Sequence, residues 1–123
     1  LFRSHNPEYK DGEQSRDFIW VGDCIDILIW LSKTQDVSGL FNVGTGISRS
    51  FNDMAKTIFD SLNVKPEIKF IDTPVTIREH YQYFTEANIT RLREAGYNKN
   101  FTSLEEGISQ YISNFLETTD PYI

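Results

Sequence analysis

The spacing of hydrophobic residues along the first half of the chain predicts a strand, a helix and a second strand. The block RDFIWVGD contains consecutive apolar residues at 18–21, which is typical of a short buried strand. Asp23 follows directly and is placed to cap a helix, in which Ile27, Leu28 and Leu31 share one face. The later block GLFNVGTG predicts a second strand that runs into a glycine turn.

The second half of the chain is predicted to be mainly helical, with short extended pieces. Ser50 is placed to cap a helix whose apolar residues recur every three or four positions: Phe51, Met54, Ala55, Ile58, Phe59 and Leu62. The block EIKFID alternates as in a half-exposed strand, and HYQYF is a short extended piece. Thr85 is placed to cap a further helix that Gly96 ends, and Ser103 with Glu106 forms the capping box of the last helix.

This order of elements favours an α/β protein, because strands alternate with helices. The predicted strands are too few for a complete doubly wound sheet, so we expect the sheet to be incomplete in this chain. The chain begins at Leu1 and not at a methionine, which indicates a piece of a longer protein, and its polar tail TTDPYI is typical of a chain end.

Composition excludes several classes of function. The net charge of −6 argues against a general nucleic-acid-binding protein, which would carry a basic face. The sequence lacks the run of about 18 apolar residues that suggests a membrane span, and it does not begin with a signal peptide. The single Cys24 rules out an internal disulfide and fits a reducing compartment such as the cytoplasm. His5 and His80 are too far apart in sequence to predict a metal site.

Two features can contact an anion. Arg16 lies at the mouth of the first predicted strand, and its planar fork of donors matches two phosphate oxygens; the alternative is a surface ion pair with Asp17 or another acid. In the segment 42–46, Asn-Val-Gly-Thr-Gly, backbone N–H groups can face an anion, or the glycines can simply form a tight turn. This segment lacks the third glycine of a dinucleotide-binding fingerprint.

Tyr81 and Tyr83 alternate with Gln82 and are predicted to face the same way, where they can line a sugar site or pack in the core. Arg78 is either a further phosphate contact or a solvated loop residue. The sequence contains no Tyr-x-x-x-Lys pair and no glycine-rich strand–turn–helix start, so no catalytic or cofactor-binding residue is predicted in this chain.

Three blocks of the sequence, taken in order, resemble the C-terminal region of the extended short-chain dehydrogenases/reductases that act on nucleotide sugars. They are RDFIWVGD, FNVGTG and YQYFTEANITRLREAGY. The first two are shared by many epimerases and dehydratases of this family. The stretch HYQYFTEANITRLREAGY, with the opening Leu1-Phe2 and the closing helix, is most similar to the ADP-glyceromanno-heptose 6-epimerases, and the resemblance covers nearly all 123 residues.

The resemblance implies which residues meet the substrate. Arg16 matches an arginine that contacts the substrate's phosphates, and Tyr81 matches a tyrosine of the substrate pocket. A short segment that lies along the nucleotide sugar matches Phe2, Arg3, Ser4 and His5. The side chains at positions 3–5 differ from the usual residues of the family, so contacts there are expected from the backbone.

The resemblance also implies a fold and a reaction. Residues 1–123 would form the substrate-binding part of a Rossmann-type fold whose N-terminal NADP-binding domain is absent from this chain. In the complete enzyme, NADP would take hydride from the side-chain carbon of an ADP-sugar and return it to the other face. This would interconvert ADP-D-glycero- and ADP-L-glycero-manno-heptose for lipopolysaccharide inner-core synthesis. The chain alone would be inactive, and the complete enzyme is expected to be a cytoplasmic homo-oligomer without a nucleic-acid or membrane partner.

Two alternatives remain open on the sequence. One is another nucleotide-sugar epimerase or dehydratase, which would use UDP- or dTDP-sugars. The other is a non-catalytic binding module, which would close its partial sheet with its own strands or by self-association.

Overall fold

A computed structural model describes residues 1–120 of the chain. It contains two short strands, five α-helices and one π-helical segment. Their bounds are β1 (Ser15–Arg16), α1 (Val21–Lys33), β2 (Arg49–Ser50), α2 (Phe51–Ser61), α3 (Val75–Arg78), α4 (Thr90–Glu94), α5 (Leu104–Tyr111) and the π-helix Ile112–Leu116. The last three residues of the predicted polar tail lie outside the described residues.

β1 is the middle one of three extended segments. It pairs antiparallel with β2, with Ser15 opposite Ser50, and it forms a parallel bridge from Ser15 to Phe84 on its other side. The backbone N–H of Ser15 donates to the carbonyl oxygen of Tyr83 at 2.9 Å. This pairing places Arg16 next to the aromatic segment that includes Tyr83.

The strand predicted at residues 18–21 is wrong. Residues 18–20 have no strand partner, Trp20 has an extended backbone, and α1 begins at Val21. Asp23 does not cap this helix, because its carboxylate is buried and accepts hydrogen bonds from the backbone and hydroxyl of Thr102 at 2.8 and 3.1 Å. The Asp23 side chain, which the sequence predicted to cap α1, therefore binds Thr102, a residue far away in the sequence.

The strands predicted in GLFNVGTG and EIKFID are also wrong as regular strands. The first segment forms bends without a strand partner among residues 1–120, and the second is reduced to a single parallel bridge between Ile71 and Phe2. Leu40, in the first segment, is 82% exposed. A strand exists only where a neighbouring chain accepts and donates its backbone hydrogen bonds, and the described chain supplies no neighbour here.

Two of the predicted helix starts are confirmed. Ser50 caps α2 and Ser103 caps α5, and in both cases the residue three positions later, Asp53 or Glu106, completes a capping box. The cap predicted at Thr85 is wrong: Thr85 donates its backbone N–H to the β1 carbonyl, and α4 begins five residues later. Gly96 follows the end of α4 with a φ of 106°, which confirms its role as the terminating glycine.

The core is small. Ile27, Leu92 and Tyr97 are buried together, and four partly buried residues pack against them: Trp30, Leu31, Phe41 and Phe101. Leu28, which was predicted on the same face of α1 as Ile27, is instead 66% exposed.

An apolar stripe on α1 faces solvent. Val21, Ile25 and Leu28 recur at helical spacing and are each more than half exposed. No helix within residues 1–120 has the length and apolar character needed to cross a membrane. The described residues thus bury only part of their apolar surface.

Candidate functional site

The guanidinium of Arg16 is fixed by backbone and aromatic contacts. Its Nη1 donates to the Ser15 carbonyl oxygen at 2.8 Å, and its Nη2 donates to the Gln82 carbonyl oxygen. Its central carbon lies 5.6 Å from the ring centroid of Tyr81 and 5.7 Å from that of Phe51. Such cation–π contacts are worth about 0.5–1 kcal/mol each at exposed sites.

Arg16 forms no ion pair with any residue that the structure describes, so the predicted alternative of a pair with Asp17 does not occur. Two of its five N–H groups are used on carbonyl oxygens, which leaves three free to bind a ligand. A guanidinium that is fixed in place and lacks a carboxylate is suited to bind an anion in bidentate fashion.

Arg16 and Tyr81 line one cavity of about 320 Å³ that is open to solvent. The other residues around it are Thr76, Ile77, His80 and Gln82. None of the lining residues is acidic. The cavity therefore combines one permanent positive charge with an aromatic face, the pairing expected of a site for a phosphorylated sugar.

A slightly larger cavity, of about 350 Å³, lies between α2 and α5. Its lining is almost entirely apolar and includes Trp20, Met54 and Leu104, with Thr102 and Ser103 as its polar members. It offers no charged group to a phosphate, so the cavity beside Arg16 is the better candidate site.

An aromatic cluster connects the start of the chain to this cavity. The rings of Phe2 and Tyr81 meet edge to face with centroids 6.0 Å apart, and those of Tyr81 and Tyr83 lie 5.4 Å apart. Tyr9 packs on Tyr83 at 5.3 Å. Tyr81 and Tyr83 thus share a side, as their alternation with Gln82 predicted. The structure brings together three of the residues assigned to the substrate site from the resemblance, namely Phe2, Arg16 and Tyr81.

The other three assigned residues are held by contacts within the chain. The backbone N–H of Arg3 donates to Ile71, that of Ser4 to the carboxylate of Asp11, and that of His5 to the hydroxyl of Tyr83. The side chain of Arg3 pairs with Asp11 at 3.3 Å and with Asp72 at 3.6 Å. The backbone donors expected to meet the substrate are therefore already used, and a role for residues 3–5 in binding stays a prediction.

The glycine turn is built around the carboxylate of Asp17. Asp17 Oδ1 accepts from the Thr45 backbone at 2.8 Å and from the Thr45 hydroxyl at 2.6 Å, while Oδ2 accepts from the backbones of Gly46 at 2.9 Å and Ala87 at 3.1 Å. Burial raises the pKa of Asp17, but these hydrogen bonds outweigh burial, so its pKa lies below the ordinary value of 3.8. The turn thus binds an anion, and the anion is a side chain of the same protein.

The family resemblance implies NADP as cofactor, and the hydrogen bonds of Asp17 determine whether the glycine turn can bind its pyrophosphate. The N–H groups of Thr45 and Gly46 would be the donors of a pyrophosphate cradle, and both are bound to Asp17. A Cβ on Gly44 would lie 2.4 Å from the Cβ of Ala87, so this glycine allows close packing within the chain. Residues 1–120 therefore offer NADP no pyrophosphate cradle at this turn.

The sequence did not predict that Thr76 and Ile77 line the cavity, since their helix, α3, has only four residues and no apolar periodicity. Its single local signal is Pro74 at the N-cap position. Arg78, at its end, does not line the cavity: its Nη2 donates to the Thr73 carbonyl oxygen at 2.9 Å. Arg78 is helical and partly buried, so the alternative of a solvated loop residue is wrong, whereas its role as a phosphate contact stays a prediction.

Known proteins similar to this chain are nucleotide-sugar enzymes, although no protein-family model matches it. Over 123 residues it is 45% identical to the ADP-L-glycero-D-manno-heptose-6-epimerase of Nitratidesulfovibrio vulgaris (strain DP4). This match covers 100% of the chain and 38% of the relative, so the chain spans well under half the length of that curated relative.

Two solved structures share its fold. The Helicobacter pylori ADP-L-glycero-D-manno-heptose-6-epimerase matches with a TM-score of 0.68 and 28% identity, over 83% of this chain and 30% of that chain. The UDP-N-acetylglucosamine 4-epimerase from Methanobrevibacter ruminantium M1, in complex with UDP-N-acetylmuramic acid, matches with a TM-score of 0.67 and 28% identity, over 85% of this chain and 34% of that chain. These neighbours are extended short-chain dehydrogenases of Rossmann type, which confirms the predicted fold class with its incomplete sheet. Over its whole length, this chain is homologous to a part of the ADP-L-glycero-D-manno-heptose-6-epimerases, as the resemblance in its sequence predicted.

Proposed function

We propose that this chain is the C-terminal, substrate-binding part of an ADP-glyceromanno-heptose 6-epimerase. The complete protein would interconvert ADP-D-glycero- and ADP-L-glycero-manno-heptose in the synthesis of lipopolysaccharide inner-core precursors. The 45% identity to the N. vulgaris relative along the whole chain supports this substrate. Because the sequence holds no Tyr-x-x-x-Lys pair, the chain alone is expected to be inactive.

The observation that carries the proposal is the position of Arg16 in the cavity. Its guanidinium is held against Tyr81 by two backbone carbonyl oxygens, and its remaining N–H groups are free to bind phosphate oxygens. A guanidinium already fixed in place loses little conformational freedom when it binds a diphosphate. The role of this part of the enzyme would be to hold the diphosphate and sugar so that the reacting carbon is correctly oriented.

The redox chemistry would be supplied by NADP, bound outside this chain in an N-terminal domain. The use of the Thr45 and Gly46 donors by Asp17 is consistent with a cofactor site elsewhere in the protein. We also propose that the complete enzyme is a cytoplasmic homo-oligomer that acts without a nucleic-acid or membrane partner.

The proposal is tested by replacing Arg16 in the full-length protein. Arg16→Ala should weaken binding of the ADP-sugar about a hundredfold, because a charge-assisted bidentate contact is lost. Arg16→Lys should have an intermediate effect, since it keeps the charge and loses the fork. Arg91→Ala is a matched control, because Arg91 stacks on Phe41 away from the cavity. Unchanged binding and turnover in Arg16→Ala would contradict the proposal.

A second candidate is a nucleotide-sugar epimerase or dehydratase that uses UDP- or dTDP-sugars. The similarity of the fold to the M. ruminantium enzyme, which is a UDP-N-acetylglucosamine 4-epimerase, favours it. Competition by ADP, UDP and dTDP for the substrate site of the full-length protein separates the two candidates. Stronger competition by UDP or dTDP than by ADP would support the second.

A further inference from the structure

One wall of the cavity comes from α3 and the residues that follow it. Thr76 lies on α3, His80 lies in the turn after it, and Gln82 precedes the bridge to β1. The carbonyl oxygen of Gln82 accepts a hydrogen bond from Arg16, so this wall and the guanidinium are directly connected. Arg16 is therefore held next to this wall.

The side-chain polar groups that α3 and the following residues contribute to this wall have no hydrogen-bond partner among residues 1–120. Within residues 1–120, the hydroxyl of Thr76, both ring nitrogens of His80 and the side-chain amide of Gln82 form no hydrogen bond; His80 is tied only through its backbone N–H to Ile77. A threonine hydroxyl, an imidazole N–H and an amide NH₂ are all hydrogen-bond donors. They face the same space as the free N–H groups of Arg16.

The charge around the cavity selects the ligand. The chain carries a net charge of −6, yet the residues that line this cavity include one arginine and no acid. A concave site lined by a cation and free donors attracts an anion. Since Arg16, Thr76 and His80 line the same cavity, their donors are available together, and a diphosphate has two anionic groups that can accept from them.

We propose that Thr76 and His80 form the second half of the diphosphate site, with Arg16 binding one phosphate group and Thr76 and His80 the other. This inference rests on the proposed function, because it takes the same cavity as the site of a nucleoside diphosphate. It adds two residues that the family resemblance did not assign. His80 and Thr76 act as binding residues that stabilise the bound diphosphate.

The test measures the binding of ADP to the full-length protein by calorimetry, with saturating NADP present so that ADP reports only the substrate site. His80→Ala should weaken ADP binding about tenfold and Thr76→Val about threefold, because each loses one hydrogen bond to a charged group. His80→Arg should stay within about threefold of the wild type, since arginine supplies a charge and donors to the same phosphate. Val75→Ala is the control, because Val75 lies on α3, is 75% exposed and does not line the cavity.

The outcomes separate the inference from the proposed function. If His80→Ala and Thr76→Val bind ADP like the wild type while Arg16→Ala does not, the inference is wrong and the proposed function stands. If Arg16→Ala also binds like the wild type, both are wrong. A loss in His80→Ala that His80→Arg fails to restore would indicate a packing role for the imidazole, and it too would overturn the inference. Equal melting temperatures establish that the variants are folded.

Discussion

Asp17 and Thr45 are joined by two hydrogen bonds to one carboxylate oxygen, at 2.8 Å from the backbone and 2.6 Å from the hydroxyl. The second oxygen binds the backbones of Gly46 and Ala87. One side chain thus fastens three segments: the end of β1, the glycine turn and the stretch that follows the aromatic segment. Arg16 directly precedes Asp17, so the same carboxylate helps to hold the candidate site in place.

Replacing Asp17 should destabilise the fold. Asp17→Asn keeps the size of the side chain, but its amide nitrogen cannot accept the hydrogen bonds that one carboxylate oxygen accepts. The expected loss is about 1–3 kcal/mol of the free energy of unfolding, measured by urea denaturation. Asp36→Asn, at an exposed position, is the control and should change stability by less than about 0.5 kcal/mol. An equal, small effect of both substitutions would show that the carboxylate does not fasten the turn.

The stability that Asp17 provides should depend on pH. Its pKa in the folded protein is depressed below 3.8, because its hydrogen bonds outweigh the effect of burial. The folded state therefore binds this proton less readily than the unfolded state, and protonation favours unfolding. The difference in unfolding free energy between the wild type and Asp17→Asn should be constant above about pH 5. It should shrink as the pH falls below 3.8, the ordinary pKa of an aspartate. A difference that grew on acidification would have the wrong sign.

Replacing Gly44 and Gly107 by alanine should change the stability of the fold in opposite directions. A Cβ at Gly44 would lie 2.4 Å from the Cβ of Ala87 and 2.5 Å from Asp17 Oδ2, so Gly44→Ala should cost about 1–3 kcal/mol. A Cβ at Gly107, within α5, would meet the side chain of Trp20 at an ordinary 3.5 Å. Gly107→Ala should therefore stabilise the helix by about 0.5–1 kcal/mol. Thermal melting of the two variants checks this, and a loss of stability in Gly107→Ala would be contrary to expectation.

The cap of α5 should contribute measurably to stability. The Ser103 hydroxyl accepts the backbone N–H of Glu106 at 3.2 Å, and the Glu106 carboxylate accepts the backbone N–H of Ser103 at 3.1 Å. Ser103→Ala should lower the free energy of unfolding by about 1 kcal/mol. Ser109→Ala is the matched control in the exposed middle of the same helix. If the two serine variants are equally stable, the capping box contributes nothing measurable.

Local signals in the sequence predicted the starts of α2 and α5 and the end of α4 correctly, but they failed for the caps at Asp23 and Thr85 and for the strands. Ser50, Ser103 and Gly96 act on backbone groups within a few residues, so their roles are written in the neighbouring sequence. The apolar block at 18–21 has the composition of a strand but no strand to pair with, and it leads directly into α1. Hydrophobic composition indicates burial, whereas a strand also requires a partner whose position is not local.

The candidate site, too, could be predicted only in part from the sequence. The sequence by itself determined the choice of Arg16 and Tyr81, through blocks that resemble a known family and through the chemistry of a guanidinium and a phenol. Only the tertiary structure decided that the two lie in one cavity and that Thr76 and His80 line this cavity as well. It also decided that Asp17 accepts hydrogen bonds from the glycine turn and forms no ion pair with Arg16. The physical reason is distance along the chain: the Gln82 carbonyl that holds Arg16 lies 66 positions away, and Ala87 lies 70 positions from Asp17. Contacts of this range form only when the whole chain packs, so no local pattern of residues encodes them.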